Sequence, residues 1–260
     1  MRNKKLIVLL AILGSVTLLA VLSSVIFSVQ QIHANCINDY DAALDALLED
    51  PAHNGIKKGR SIFLLDEKEL IGEIEAKPEF SAVSVVNIER GFPNRVYIHY
   101  VKILPYLAFD HGEDALYLSN ELKVLDKAEG QAAYPDHIRL LAGGAPSGTE
   151  QGAYFYQTDG AAYGALRIFM EAFERLGSQK EVTGLFEFID VKKTAEYGIT
   201  YLKTRTGVYI KVFGCYANTL TELRYALKLY AENDAYRSRG MIVVGRSGEN
   251  IFYKPADDYS

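Results

Sequence analysis

Residues 59–105 read GRSIFLLDEKELIGEIEAKPEFSAVSVVNIERGFPNRVYIHYVKILP, and this stretch decides the fold class. Asp66 with Glu69 three positions later is a capping-box signature, and Leu70, Ile71 and Ile74 follow as an apolar stripe at helical spacing. Pro78 has no amide hydrogen to offer a helix and stops it. Two strand-like runs come next, Val83–Arg90 and Arg95–Ile103, joined by the turn residues Gly91-Phe92-Pro93-Asn94. In the second run Val96, Ile98 and Tyr100 alternate with Tyr97, His99 and Val101, so one face can pack on the helix. Helix, strand, strand is half of a small α+β module.

The residues just upstream supply the other half. Val29, Ile32 and Ala34 in the alternating stretch Ser28–Asn35 suit a first strand. Asp39 or Asp41 can cap a helix carrying Leu44, Leu47 and Leu48 that ends before Pro51. The module then runs strand, helix, helix, strand, strand over residues 30–104.

Before it, Leu6–Phe27 contains no charged residue. As a helix it would extend roughly 33 Å, against a hydrocarbon core of about 30 Å. Arg2, Lys4 and Lys5 precede the run and no Lys or Arg follows until Lys57, so the positive-inside bias leaves residues 1–5 in the cytoplasm and the rest outside. The expectation is a single transmembrane helix over residues 6–29. A cleaved signal peptide and a lipoprotein signal ending at Cys36 are the competing readings; the long apolar core without a small-residue cleavage site disfavours the first, and the poor approach His33-Ala34-Asn35 and the distance of Cys36 from the charged start disfavour the second.

Three of the 28 basic residues and none of the 33 acidic ones lie before the apolar run, so the remainder carries 25 basic against 33 acidic residues, a net charge of −8. That balance disfavours nucleic acid and anionic lipid faces as partners. Cys36 and Cys215 lie far apart in sequence and read as buried free thiols rather than a disulfide framework. The 18 Tyr and 12 Phe are spread through strand-like runs and read as core and sheet-face residues.

From residue 105 to 255 the chain reads as a second, mixed domain with a mostly antiparallel sheet, followed by a tail at 256–260. Leu116–Leu118 and Leu122–Leu125 flank a polar turn, and residues 142–152 form a Gly/Ser-rich loop. A helix ending at Gly177 carries Ala162, Leu166, Phe169, Phe173 and Leu176 on one face. Three strands are expected at Thr183–Val191, Tyr197–Thr204 and Val208–Phe213. Thr219 and Glu222 form a capping box for a helix with Leu220, Leu223, Leu227 and Tyr230 inward, and Met241–Val244 and Ile251–Tyr253 end the sheet.

Catalytic chemistry has little support in this pattern. The five histidines, His33, His53, His99, His111 and His137, are scattered, and none has a second ligand at zinc spacing. His111-Gly112-Glu113 reads as a turn, and the Gly143, Gly144 and Gly148 loop lacks the strand-to-helix setting of a phosphate cradle. Neither cysteine neighbours a histidine in a nucleophile motif, and no G-x-S-x-G or S-x-x-K is present. The reading is therefore no enzyme, no metal, no cofactor and no small-molecule substrate. What remains is protein–protein interaction, with the final strand as an edge able to accept a partner's strand.

The order of these features resembles the bacterial cell-division family FtsQ, called DivIB in Gram-positive organisms. Gly59-Arg60-Ser61-Ile62-Phe63-Leu64-Leu65-Asp66 is similar to the family's entry into the second helix of its POTRA domain, and Pro78 to the proline ahead of the third strand. Ile88-x-Arg90-x-x-Pro93-Asn94-x-Val96-x-Ile98 with Pro105 resembles its hairpin and closing proline. Tyr134-Pro135 with Ile138, then Gly207-x-x-Ile210-x-x-x-Gly214, Asn218 and Leu223, resemble segments of its β domain. The chain departs from the pattern at Lys102-Ile103, where the family carries Glu-Arg, and at Ile242, where it often carries Asp.

The resemblance implies a non-enzymatic, bitopic divisome scaffold that binds FtsL-like and FtsB/DivIC-like proteins, with a septal peptidoglycan synthase as a further partner. It implies a place in the cell membrane at the division septum. Carried over by position, partner contact falls on Ile242, Val244, Ile251 and Tyr253, with Leu223 and Leu227 nearby. An anchored cell-wall hydrolase or peptidase with an unrecognised site is the alternative, and a POTRA-bearing transport component a third reading.

Overall fold

The computed structural model of the chain describes residues 2–130, 136–214, 219–232, 238–245, 251–255 and 259, without the side chains of residues 2–11, 219 and 220. It divides into two units, Met1–Ile103 and Leu104–Ser260, each with its own buried cluster.

Unit 1 begins with helix α1 (Arg2–Ile26) and continues through β1 (Gln31–Cys36), α2 (Ala42–Glu49), a single turn α3 (Pro51–Asn54), α4 (Glu67–Glu75), β2 (Val83–Gly91) and β3 (Arg95–Lys102). The strands form a sheet in the order β1-β3-β2, with β1 parallel and β2 antiparallel to the central β3. Helices α2 and α4 start where a side chain can take their orphan amides. Asp41 accepts from the amides of Ala43 and Leu44, and Asp66 from those of Lys68 and Glu69. Leu70 and Ile74 of α4 are buried against Val96, Ile98 and Tyr100, the face that the alternation of β3 selects. Leu48 of α2 and Ile32 of β1 complete that core.

The transmembrane expectation is corrected here. Among the described residues no helix is long and apolar enough to cross a membrane. The helix ends at Ile26, and Phe27 and Val29, expected to finish the span, pack in the core under the β1-β3-β2 sheet instead. Val29 is fully buried, its amide donates to the Arg60 carbonyl at 2.8 Å, and the Ile62 amide donates to the Phe27 carbonyl at 2.9 Å. The side chains of Arg2, Lys4 and Lys5 lie outside the described residues. Among the side chains that are described, Ile12, Leu13, Val16, Leu19 and Leu22 of α1 are all exposed.

Unit 2 opens with β4 (Leu107–His111), β5 (Asp114–Leu118) and β6 (Val124–Glu129), an antiparallel meander, followed by β7 (Ile138–Leu141). A small hairpin of β8 (Pro146–Ser147) and β9 (Tyr156–Gln157) precedes α5 (Gly160–Leu176). Then come α6 (Gln179–Leu185), β10 (Phe186–Asp190), a turn of helix α7 (Thr194–Tyr197), β11 (Ile199–Thr204) and β12 (Tyr209–Phe213). Helix α8 (Thr219–Glu232), β13 (Met241–Val244) and β14 (Ile251–Lys254) end the unit. The nine-stranded sheet runs β14-β13-β12-β11-β10-β7-β4-β5-β6; it is mixed, with β12–β13, β10–β7 and β7–β4 parallel and the other five pairings antiparallel, so the mostly antiparallel expectation holds.

One face of that sheet carries the core. Phe169 and Phe173 of α5 and Leu223 and Ala226 of α8 are buried with Phe186, Ile189, Leu202, Ile210, Ile242 and Val244 from the strands. Two strand expectations shorten. Thr183 to Leu185 are helical, because Ser178 and Glu181 form a reciprocal capping box that starts α6. Tyr197 ends a helical turn, and Gly198 turns the chain in the left-handed region before β11 starts. Thr219 lies inside α8 rather than capping it.

Candidate interaction edge

Both large sheets have two edges, and they differ in what lies over them. In unit 1 the edge strand β1 has its Ala34 amide taken by the Glu49 carboxylate of α2 at 3.1 Å. The other edge, β2, carries a register shift between Val85 and Asn87, and Glu75 of α4 accepts from the Val85 amide at 2.8 Å. A bulge and a carboxylate on an edge amide both discourage strand addition. In unit 2, β6 bears Asp126, Lys127 and Glu129 along the strand, and its start is engaged by residues 152 and 153. Charged edges resist pairing.

The fourth edge is β14. Its neighbour is β13, in the register Ile242↔Tyr253, Val243↔Phe252 and Val244↔Ile251, and its other side has no strand neighbour among the described residues. The sequence Ile251-Phe252-Tyr253 is apolar, and Phe252 is 45% exposed. Gly240, at φ +93°, makes the strand pair close tightly: a β-carbon there would lie 2.5 Å from the Lys254 carbonyl oxygen.

The side chains singled out by alternation do not lie on an outer surface. Ile242, Val244 and Leu223 are buried in the core of unit 2, and Leu227, Ile251 and Tyr253 pack partly buried against it. The period-2 pattern correctly separates two faces, but α5 and α8 cover the face that holds these residues. Tyr253 in addition donates its hydroxyl to the Arg239 carbonyl at 2.9 Å. The exposed side chain described at this end of the sheet is therefore Phe252, on a strand whose one strand neighbour among the described residues is β13.

The opposite face of the same strands bears an aromatic patch. Tyr201, Met241 and Val243 are buried there, with Tyr209 and Phe213 partly buried beside them. Tyr259 lies over the patch, stacked on Tyr209 at 4.9 Å, edge-on to Tyr201 at 5.1 Å and tilted against Phe188 at 5.6 Å. Its hydroxyl donates to Asp190, a buried carboxylate, at 2.6 Å. Burial and that carboxylate hold the phenol well above its usual range, so it stays protonated as a donor. Since β14 ends at Lys254, the chain has moved from the sheet edge to β10–β12 by residue 259. Sequence reading treats residues 256–260 as a tail, and a lone tyrosine near a terminus carries no signal of this seat.

The other singled-out residues are dispersed. His99 approaches Glu89 at 3.4 Å on the exposed face of β3, and His53 bonds Glu79 at 3.0 Å at the surface of unit 1. In the His111-Gly112-Glu113 segment, His111 ends β4 and Gly112-Glu113 are the turn into β5. Cys36 carries a free thiol, half-buried, while Cys215, Tyr134-Pro135 and Asn218 lie outside the described residues. No cluster of three metal-ligating side chains is present among the described residues. Lys102, one of the departures from the family pattern, finds a partner: its ammonium lies 2.9 Å from Asp41 and 3.7 Å from Asp39.

No family model matches this chain, and no curated protein matches it either.

Proposed function

We propose that this chain is a non-enzymatic scaffold of the bacterial division machinery, held at the cell membrane and concentrated at the septum. In this reading it binds FtsL-like and FtsB/DivIC-like proteins and so helps coordinate septal peptidoglycan synthesis. The supporting observation is the asymmetry among the sheet edges: three are bulged, charged or engaged by side chains, while β14 presents an apolar strand beside a single neighbour. An extended partner segment added to β14 would gain main-chain hydrogen bonds, with Phe252 as its side-chain anchor. The apolar side chains exposed along α1 support a location at the membrane.

Successive amides of an edge strand point alternately toward the neighbouring strand and away from it. Ile251→Pro and Phe252→Pro therefore remove one outward donor and one ladder donor between them. The variant that keeps the thermal transition of unit 2 should capture a FtsB/DivIC-type partner at least about tenfold less well, as expected when one or two desolvated hydrogen bonds are lost. Unchanged capture by that folded variant would sink the strand-addition reading. Diffuse membrane fluorescence of a tagged chain in dividing cells, without midcell enrichment, would sink the septal one.

A further inference from the structure

We infer that unit 1 seats on an anionic lipid surface through an aromatic cluster at the foot of α1. Phe27, Phe63 and Phe92 come from three separate segments and meet there. Their ring centroids lie 5.4 Å (Phe27–Phe63), 5.7 Å (Phe63–Phe92) and 6.3 Å (Phe27–Phe92) apart. Phe63 and Phe92 are 54% and 63% exposed, and Leu64 beside them 65%. These are not stray surface residues, because the backbone underneath holds them together. Ile62 and Leu65 are buried in the unit 1 core, which leaves Phe63 and Leu64 between them no inward position. The Ser61 hydroxyl takes the Phe63 amide, and the amides of Gln30 and Gln31 both donate to the Asn94 carbonyl, fixing the turn that carries Phe92.

A contiguous apolar patch of this kind marks an interaction surface. Two observations identify its occupant as lipid. The first is continuity: α1 leads out of the cluster at Phe27, and the side chains described along it are apolar and exposed. The second is charge. Lys57, Lys58 and Arg60 on the loop before the cluster and Arg95 beside Phe92 are exposed, and none forms an ion pair among the described residues. The two acids that follow the cluster in sequence are committed elsewhere, Glu67 to Arg90 at 3.1 Å and Asp66 to the first amides of α4. The net charge of −8 outside the apolar run argues against anionic lipid for the chain as a whole, yet it averages over a local basic rim. Aromatic rings at headgroup depth, ringed by Lys and Arg, are the chemistry of membrane-interface docking. The inference shares the membrane location of the proposed function but does not depend on strand addition at β14.

The chain contains no tryptophan, so Phe63→Trp and Phe92→Trp each introduce a single reporter, with Tyr154→Trp on exposed unit 2 surface as control. The full chain is mixed with brominated phosphatidylcholine vesicles containing about three parts in ten phosphatidylglycerol, a charge density that attracts basic segments. Emission at 63 and 92 should shift to the blue and lose roughly half its intensity, as for rings at the headgroup–acyl boundary, while that at 154 stays unquenched. Replacing Lys57, Lys58 and Arg60 together by Gln, or omitting phosphatidylglycerol, should weaken the quenching severalfold. Quenching at 63 and 92 no greater than at 154, chain that stays off the vesicles, or quenching indifferent to both charge changes would each overturn the inference. Partner capture through β14 would be untouched by any of these outcomes, so the two readings fail separately.

Discussion

Unit 1 and unit 2 are both helix-on-sheet structures, but their organisation sits at different distances along the chain. In unit 1 helices α2 and α4 are capped by the residue just before them, and the sheet needs one long connection, from β1 past the central β3 to β2, which then turns back as a hairpin. In unit 2, β7 inserts between β4 and β10, and three of the pairings are parallel, so neighbours in space are separated by helices or by other strands in sequence. Local signals suffice where the fold is local. They identify strands in unit 2 without saying which strands are neighbours.

The contrast can be broken first at the core of unit 2. Phe186 is fully buried and stacks on Phe173 at 5.1 Å. Phe186→Ala should cost about 3–5 kcal/mol through lost burial and a residual cavity. Amide exchange should rise throughout unit 2 and not in unit 1; a rise of equal size in both would contradict two separate cores.

The seat of Tyr259 sharpens the comparison next. Tyr259→Ala removes three ring contacts and a hydrogen bond to a buried carboxylate, at about 2–3 kcal/mol in urea unfolding. Tyr259→Phe keeps the stacking and should cost about half as much. No change in either variant would mean that the last residues contribute nothing to unit 2.

In unit 1 the expected effects are smaller because they are local. Asp66→Ala should lower stability by about 1 kcal/mol, and Asp66→Asn by much less, since asparagine also caps. Equal losses would show that charge, not the cap, is what matters there.

The smallest effect concerns pH. The hydrogen bond from Lys102 holds the Asp41 carboxyl below its ordinary value of 3.8. A carboxylate with a lowered folded-state pKa stabilises above the unfolded value, and that contribution is lost as pH falls through the folded one. Asp41→Asn keeps the cap and loses the charge, so it should cost about 0.5 kcal/mol near neutral pH and nothing well below pH 4. A gap between the two proteins that persists in acid would locate the effect in packing instead.

Much of the candidate site was half legible for the same reason. Ile251–Tyr253 was readable as a strand near the end of the sheet, and β14 is an edge. The alternation of Ile242, Val244, Ile251 and Tyr253 was readable too, but its meaning was not. Period 2 gives two faces and leaves open which one α5 and α8 will cover, and they cover this one. Phe252, on the other face, is therefore the exposed anchor.

By itself the sequence determined the local events: the caps at Asp41 and Asp66, the Gly91–Asn94 turn, the apolar stripe of α5 and the strands of unit 1. These depend on groups a few residues apart, whose geometry is set by backbone sterics and hydrogen bonding within one or two turns. Only the tertiary structure decided the strand order of unit 2, the fate of Phe27–Val29 at the end of α1, the meeting of Phe27 with Phe63 and Phe92, and the seat of Tyr259 on Asp190. Those depend on which surfaces can be buried against each other once the chain has folded back, and a linear pattern does not contain that information.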